Sequence, residues 1–205
     1  MALELGGVAA VILAGGKAER LGGVNKALLE IGGRTLIERA LDVAAECDPI
    51  LVAVGAGDFL PPGGRGIPDL PTAYAGPLAG VAAAIEHLSG TSAEWLLSLA
   101  VDTPFFPADF LARAAVLTPQ SDCVMACYGA QDYPTNALWR LDALRGLPAG
   151  LRNGAAPHSL KRLANNLRTA RLDYAALRRD DPFLNVNTPQ DLTNLTLRAA
   201  RIDAG

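Results

Sequence analysis

The sequence is short of several things, and each shortage removes a class of function. It has no excess of basic residues. Eighteen lysines and arginines stand against 21 aspartates and glutamates, giving a formal charge of −3 and a pI near 5.4. A nucleic-acid binder needs a basic surface, so a small-molecule partner is expected and nucleic acid is not. Cysteine is scarce: Cys47, Cys123 and Cys127 are few and odd in number, which is no disulfide framework. Cys123 and Cys127 sit in an apolar stretch with only His87 and His158 to assist them, so buried thiols in a reducing compartment are expected rather than a zinc site. Long apolar runs are missing too. Val8–Leu13 is far too short to span a bilayer, and the residues before it include Glu4 and no basic segment, so neither a membrane span nor a signal peptide is expected. These shortages lead to a cytoplasmic location. What is plentiful is core material: 50% of the 205 residues are hydrophobic, which argues against disorder and fits one domain over 1–205.

Apolar runs of strand length alternate with helix-period stretches. Val8–Leu13, Ile50–Val54 and Trp95–Val101 are near-continuous, as parallel strands covered on both faces should be. Between them lie two helical faces, Leu36, Ile37, Ala40, Leu41 and Ala44, then Leu78, Val81, Ile85 and Leu88, the second opened by Gly76-Pro77. This β-α-β repetition predicts a three-layer α/β/α, Rossmann-like fold with a mostly parallel sheet. Farther on, helices are expected over Pro107–Leu117 and Pro157–Leu167, and strands over Asp122–Tyr128 and Pro134–Arg140. A final helix is capped by Thr188, with Pro189 first, Asp191 three residues after the cap, and an apolar face of Leu192, Leu195, Ala199 and Ile202. Leu60–Pro68 reads as a surface loop and Ala149–Pro157 as a mobile segment.

The first strand runs directly into Leu13-Ala-Gly-Gly-Lys-Ala-Glu-Arg-Leu-Gly-Gly-Val-Asn-Lys26. Gly15, Gly16, Gly22 and Gly23 let the backbone turn sharply and approach a ligand, and their amides can face phosphate oxygens. Lys17, Arg20 and Lys26 concentrate positive charge in an otherwise acidic chain. The spacing is neither that of a P-loop nor of the dinucleotide fingerprint G-x-G-x-x-G. A glycine-rich turn with solvated cations is the plain alternative, but glycines and cations together favour phosphate binding. Asp102, at the end of Trp95–Val101, is placed to hold a divalent cation beside such a loop, or else to cap the following turn.

The motif L-A-G-G-x-x-x-R-L-G-G-x-x-K, with its continuation Ala27–Arg39, resembles the signature of nucleotidyltransferases of the molybdenum cofactor guanylyltransferase family. So do Asp102-Thr-Pro104, Gly76-Pro-Leu-Ala-Gly80 with Asp69 upstream, and Asn185-Val-Asn-Thr-Pro189; Asp132-Tyr-Pro-Thr135 is a weaker match on the acceptor side. The resemblance implies transfer of GMP from GTP to the terminal phosphate of molybdopterin, with Mg²⁺ as cofactor and pyrophosphate released. It gives catalytic roles to Arg20, Lys26 and Asp102, with Asp102 as the metal ligand. It assigns the nucleotide to Leu13, Ala14, Gly15, Gly16, Lys26, Asp69, Gly76, Pro77, Leu78 and Asp102, and the acceptor to Asn185 and Asn187. It also implies transient contact with cofactor-synthesis proteins or recipient molybdoenzymes. There are departures. Asn25 stands where the family usually has Asp, Thr35 replaces a common Pro, and Arg152–Arg162 lacks the expected basic pattern, for which Arg152, Lys161 and Arg162 are the substitutes. A cytidylyltransferase, a sugar-phosphate nucleotidyltransferase and a regulatory nucleotide-binding module are the alternatives.

Overall fold

The computed structural model of the protein describes residues 7–15, 17–18, 24–55, 59–72 and 76–203. The chain opens with strand β1 (Val8–Leu13), followed by the short strands β2 (Lys17–Ala18), β3 (Val24–Asn25), β4 (Glu30–Ile31) and β5 (Arg34–Thr35). Then come α1 (Leu36–Val43), β6 (Ile50–Ala53), β7 (Arg65–Ile67), α2 (Pro77–His87), β8 (Trp95–Ala100) and α3 (Phe110–Ala115). The second half holds β9 (Cys123–Tyr128), β10 (Gln131–Arg140), α4 (Leu141–Leu144), α5 (Leu147–Arg152), α6 (Leu160–Asn165), β11 (Thr169–Asp173) and α7 (Pro189–Asp203).

Seven strands form the central sheet in the order β11-β9-β10-β8-β1-β6-β7. β1 runs parallel to β6 and β8, β6 to β7 and β9 to β11, while β10 alone is antiparallel to both its neighbours. Successive side chains point to opposite faces, and each face has its own core. Ala10, Ile12, Leu97 and Leu99 pack with Leu36 and Ile37 of α1, Phe110 of α3 and Leu195 and Ala199 of α7. Ala9, Val11 and Leu96 pack on the other side with α2, α4, α5 and α6. This double cover is why the strands read as near-continuous apolar runs.

Local chemistry explains where the helices begin. The Thr35 side chain accepts from the Glu38 amide, and Glu38 accepts back from Thr35 N at 2.8 Å, so the residue standing in for a proline supplies a capping box instead. Thr188 and Asp191 cap α7 in the same way, at 3.1 and 2.8 Å. α2 starts at Gly76, whose φ of 117° suits glycine. Its residues from Leu78 to Ile85 are all buried, so the expected single stripe understates its contact. Small residues draw it onto the sheet: a Cβ on Gly80 would sit 2.9 Å from both Ala53 Cβ and Leu13 Cδ2.

Several expected boundaries need correction. The helix expected over Pro107–Leu117 is confined to α3 and is followed by a 3-10 turn, Thr118–Gln120. The one expected over Pro157–Leu167 shrinks to α6, because Ser159 caps it by accepting from Arg162 N at 3.2 Å. The Leu60–Pro68 loop contains β7, an edge strand too short to show a period. Ala149–Pro157 begins inside α5, and the turn after it is tied down by Ala155 N and Ala156 N donating to Gly150 O. On α7, Ile202 is 58% exposed, so the packed face stops at Ala199.

Candidate active site

Chain order fixes the site's location. From β1 the chain steps outward to β6 and β7, then returns to place β8 on the other side of β1. Loops leaving β1 and β8 therefore diverge, and a crevice opens at their carboxyl ends. A cleft of about 670 Å³ lies there, lined by Leu13, Gly15, Lys26, Asp69, Asp102 and Asn185 among others. Its apolar wall includes Leu13, Ala53, Pro68, Leu70, Pro71 and Pro77, which suits a flat aromatic ring. Gly15 crosses Gly55 so closely that a Cβ on it would lie 2.9 Å from Gly55 N. Here glycine is required by packing.

Asp69 follows β7 and faces this crossing. Burial pushes its carboxyl above the usual carboxylate range, opposed by a hydrogen bond that the Gly55 amide donates to it. It is therefore under-solvated and available to accept from a ligand hydroxyl or N–H.

Across the cleft, Lys26 Nζ donates to Asp102 Oδ2 at 2.5 Å and to Asn187 Oδ1 at 2.8 Å. The Lys26 and Asp102 side chains are only 12% and 15% exposed, so this is no solvated surface pair. Lys26 is held there by the 3-10 turn Lys26–Leu28, which Asn25 caps by accepting from Ala27 N at 3.0 Å. An aspartate would make the same bond with a charge added; Asn25 keeps the geometry and gives up the charge. Val186 N donates to Asp102 O at 3.0 Å, pinning the Asn185–Asn187 segment against the β8 terminus.

The cleft thus gathers Leu13, Gly15, Lys26, Asp69, Gly76, Pro77, Asp102 and Asn185, eight of the residues singled out from the sequence, while Asn187 joins through Lys26. Ala14 and Leu78 have buried side chains, at 4% and 5% exposure, and do not line it. Gly16 and Arg20 lie outside the described residues. The Asp132–Thr135 segment reaches the cleft only at Thr135; Asp132 is held by Arg171 at 2.8 Å and Lys161 at 3.6 Å. Neither Arg152, paired with Glu86, nor Lys161 nor Arg162 lines the cleft.

Sequence reasoning missed Asn136. The register of β10 against β9 slips between Tyr133 and Ala137, and Asn136, fully buried, takes over where the ladder fails. Its Oδ1 accepts from Ala100 N at 2.9 Å, and its Nδ2 donates to Thr103 Oγ1 at 3.2 Å. An amide immediately before the apolar run Ala137-Leu-Trp139 was the available signal.

Among the described residues, no group of three or more His, Cys, Asp and Glu side chains is placed to cage a metal. Asp102, one carboxylate in contact with an ammonium at the mouth of a cleft, suits a cation that keeps phosphate and water among its ligands.

Comparison with known proteins agrees with this geometry. Residues 10–185 match the family model described as the MobA-like NTP transferase domain. A molybdenum cofactor guanylyltransferase from Rhodopseudomonas palustris (strain HaA2) is 37% identical over 198 residues, covering 89% of this chain and 88% of the relative. Among solved structures, molybdopterin-guanine dinucleotide biosynthesis protein A from Archaeoglobus fulgidus superposes with a TM-score of 0.71 at 20% identity, covering 94% of this chain and 99% of that one. A Mycobacterium tuberculosis H37Rv protein described as a complex with manganese superposes with a TM-score of 0.67 at 17% identity, covering 93% and 98%. The two structural likenesses speak for the fold, and the sequence matches go further: the chain is a nucleotidyltransferase and belongs to the MobA-like NTP transferase family.

Proposed function

We propose that this transferase moves GMP from GTP to the terminal phosphate of molybdopterin, releasing pyrophosphate and forming the guanine dinucleotide cofactor. The observation that carries the reading is the convergence of Gly15, Lys26, Asp69 and Asp102 on one cleft at the β1/β8 switch point. The likeness to the Rhodopseudomonas palustris molybdenum cofactor guanylyltransferase supports the choice of substrates. One domain performs the reaction, in the cytoplasm; among the described residues no helix is long and apolar enough to cross a membrane.

In this reading the nucleotide lies along the carboxyl ends of β1, β6 and β8. Leu13, Ala14, Gly15 and Gly16 offer backbone to it, and the start of α2 at Gly76, Pro77 and Leu78 turns its partial positive charge towards the cleft. Asp69 accepts from the ribose or the guanine edge, replacing solvent that burial has denied it. Lys26 and Arg20 take the triphosphate, with Lys26 exchanging its bond to Asp102 for phosphate oxygens. Asp102 is the residue that would hold Mg²⁺, which supplies charge neutralisation at the α-phosphate and the leaving pyrophosphate. The attacking phosphate is already anionic at neutral pH, so no general base is needed and positioning dominates. Asn185 and Asn187 face the acceptor.

Pyrophosphate release measured with GTP or CTP, in the presence of Mg²⁺ and molybdopterin, tests this. Release with GTP is expected. Release with CTP alone contradicts the guanine assignment, and tight GTP binding without release contradicts catalysis.

A further inference from the structure

The orientation of an asparagine amide is normally ambiguous, because its oxygen and nitrogen look alike. Here an unambiguous donor resolves it. A backbone N–H can only donate, so the group accepting from Ala100 N at 2.9 Å must be Asn136 Oδ1. Asn136 therefore turns Nδ2 the other way, donating to Thr103 Oγ1 at 3.2 Å. A hydroxyl that accepts there is free to donate its own proton onward, and Thr103 Oγ1 donates to Asn185 Oδ1 at 3.1 Å. The chain of bonds ends with the Asn185 oxygen occupied and its nitrogen unclaimed by any described residue. Asn185 lines the cleft.

A second anchor acts on the neighbouring asparagine. Lys26 Nζ, which is also a donor only, occupies Asn187 Oδ1 at 2.8 Å. Asn185 and Asn187, two residues apart on a segment pinned by Val186 N, thus both have their oxygens taken from inside the protein. What they have left to offer is two neutral N–H₂ donors, the polarity that suits phosphate oxygens.

We propose that Asn136 and Thr103 are positioning residues that fix the polarity of Asn185, so that its amide nitrogen, not its oxygen, meets the phosphate of the acceptor. This rests on the reading of Asn185 as an acceptor contact. The relay explains why a fully buried amide heads the buried end of β10, and why the threonine after Asp102 is itself only 6% exposed. Asn136 touches no substrate; it acts through Thr103.

Steady-state kinetics with GTP, Mg²⁺ and molybdopterin, alongside thermal unfolding, test the relay. Thr103→Val keeps the shape and removes the hydroxyl. It is expected to raise the KM for molybdopterin roughly tenfold, the worth of about one hydrogen bond, with the KM for GTP unchanged. Thr103→Ser restores the hydroxyl and should restore that KM. Asn136→Asp reverses the relay: its second oxygen accepts from Thr103, which then accepts from Asn185 Nδ2, so that the Asn185 oxygen faces the phosphate. Its molybdopterin KM should exceed that of Thr103→Val. Asn185→Ala separates the two ideas. If it raises the molybdopterin KM while Thr103→Val and Asn136→Asp do not, the relay is overturned and the acceptor contact stands. If it leaves that KM unchanged, the acceptor contact fails and the relay with it. Equal losses for GTP and molybdopterin in Thr103→Val, or no rescue by serine, would mean a merely structural role and overturn the proposal. Should Asn136→Asp not fold, the valine and serine variants decide alone.

Discussion

Asp102 and Lys26 meet at 2.5 Å with little solvent between them and the cleft wall, and their separate contributions can be read by removing each in turn. Asp102→Ala takes away the carboxylate assigned to the cation, so turnover should be lost while the fold survives; near-normal rates at saturating Mg²⁺ would remove it from the metal site. Lys26→Met leaves the aliphatic stem and deletes the charge, and the dissociation constant for GTP should rise about 10–100-fold, the range for one or two charge-assisted hydrogen bonds. An unchanged affinity in a binding titration would contradict its assignment. Asp69 makes the opposite kind of prediction, because burial raises its pKa in the folded protein. The protonated form is favoured there, so its contribution to stability is fully present below the unfolded value of about 3.9 and is lost as pH rises through the folded value. Asp69→Asn should therefore match or exceed the wild-type unfolding temperature at pH 7, with the difference closing towards pH 3, while GTP binds more weakly. A lower unfolding temperature at pH 7 would show that the carboxylate is structurally needed.

The elements that carry these residues were readable to different degrees. β1, β6 and β8 stood out because double burial leaves Ser98 as the one polar position in them. α1 was announced by its apolar period and α7 by its cap. β7 and the breadth of burial on α2 were not legible: three residues show no period, and alanines and glycines mark close approach only once the partner is known. That approach is testable. Gly80→Ala drives a methyl to 2.9 Å from Ala53 Cβ and Leu13 Cδ2, and overpacking of this kind should cost about 1–3 kcal/mol in denaturant unfolding. Because Leu13 is also a cleft residue, GTP affinity should fall with it. Thr188→Ala removes a capping box far from that contact and should cost about 0.5–2 kcal/mol. In the site, Lys26 was legible from the glycine loop it closes and Asp102 from the end of the strand it follows, whereas Asn185 and Asn187 came only from the family resemblance. Asn136 and Thr103 were hidden, since their value lies in whom they touch.

At the scale of the molecule, one topological event organises everything: the chain reverses direction across the sheet between β7 and β8, and the cleft is its consequence. The two cores on either side keep the strands in register; Cys47 belongs to one and Cys123 to the other, and Cys127 is buried in β9. Burial pushes the Cys47 and Cys127 thiols up to about 11 and Cys123 to about 12, so they are inert at neutral pH in the folded state. The antiparallel strand β10 is the other global feature, because its slip against β9 brings Thr135 to the cleft and Asn136 beneath it. The central claim is that this cleft joins GMP to molybdopterin. Mass spectrometry of the product formed from GTP, CTP, Mg²⁺ and molybdopterin together tests it most directly. A single product heavier by the GMP group is predicted; a CMP adduct, or no adduct while GTP remains bound, would contradict it.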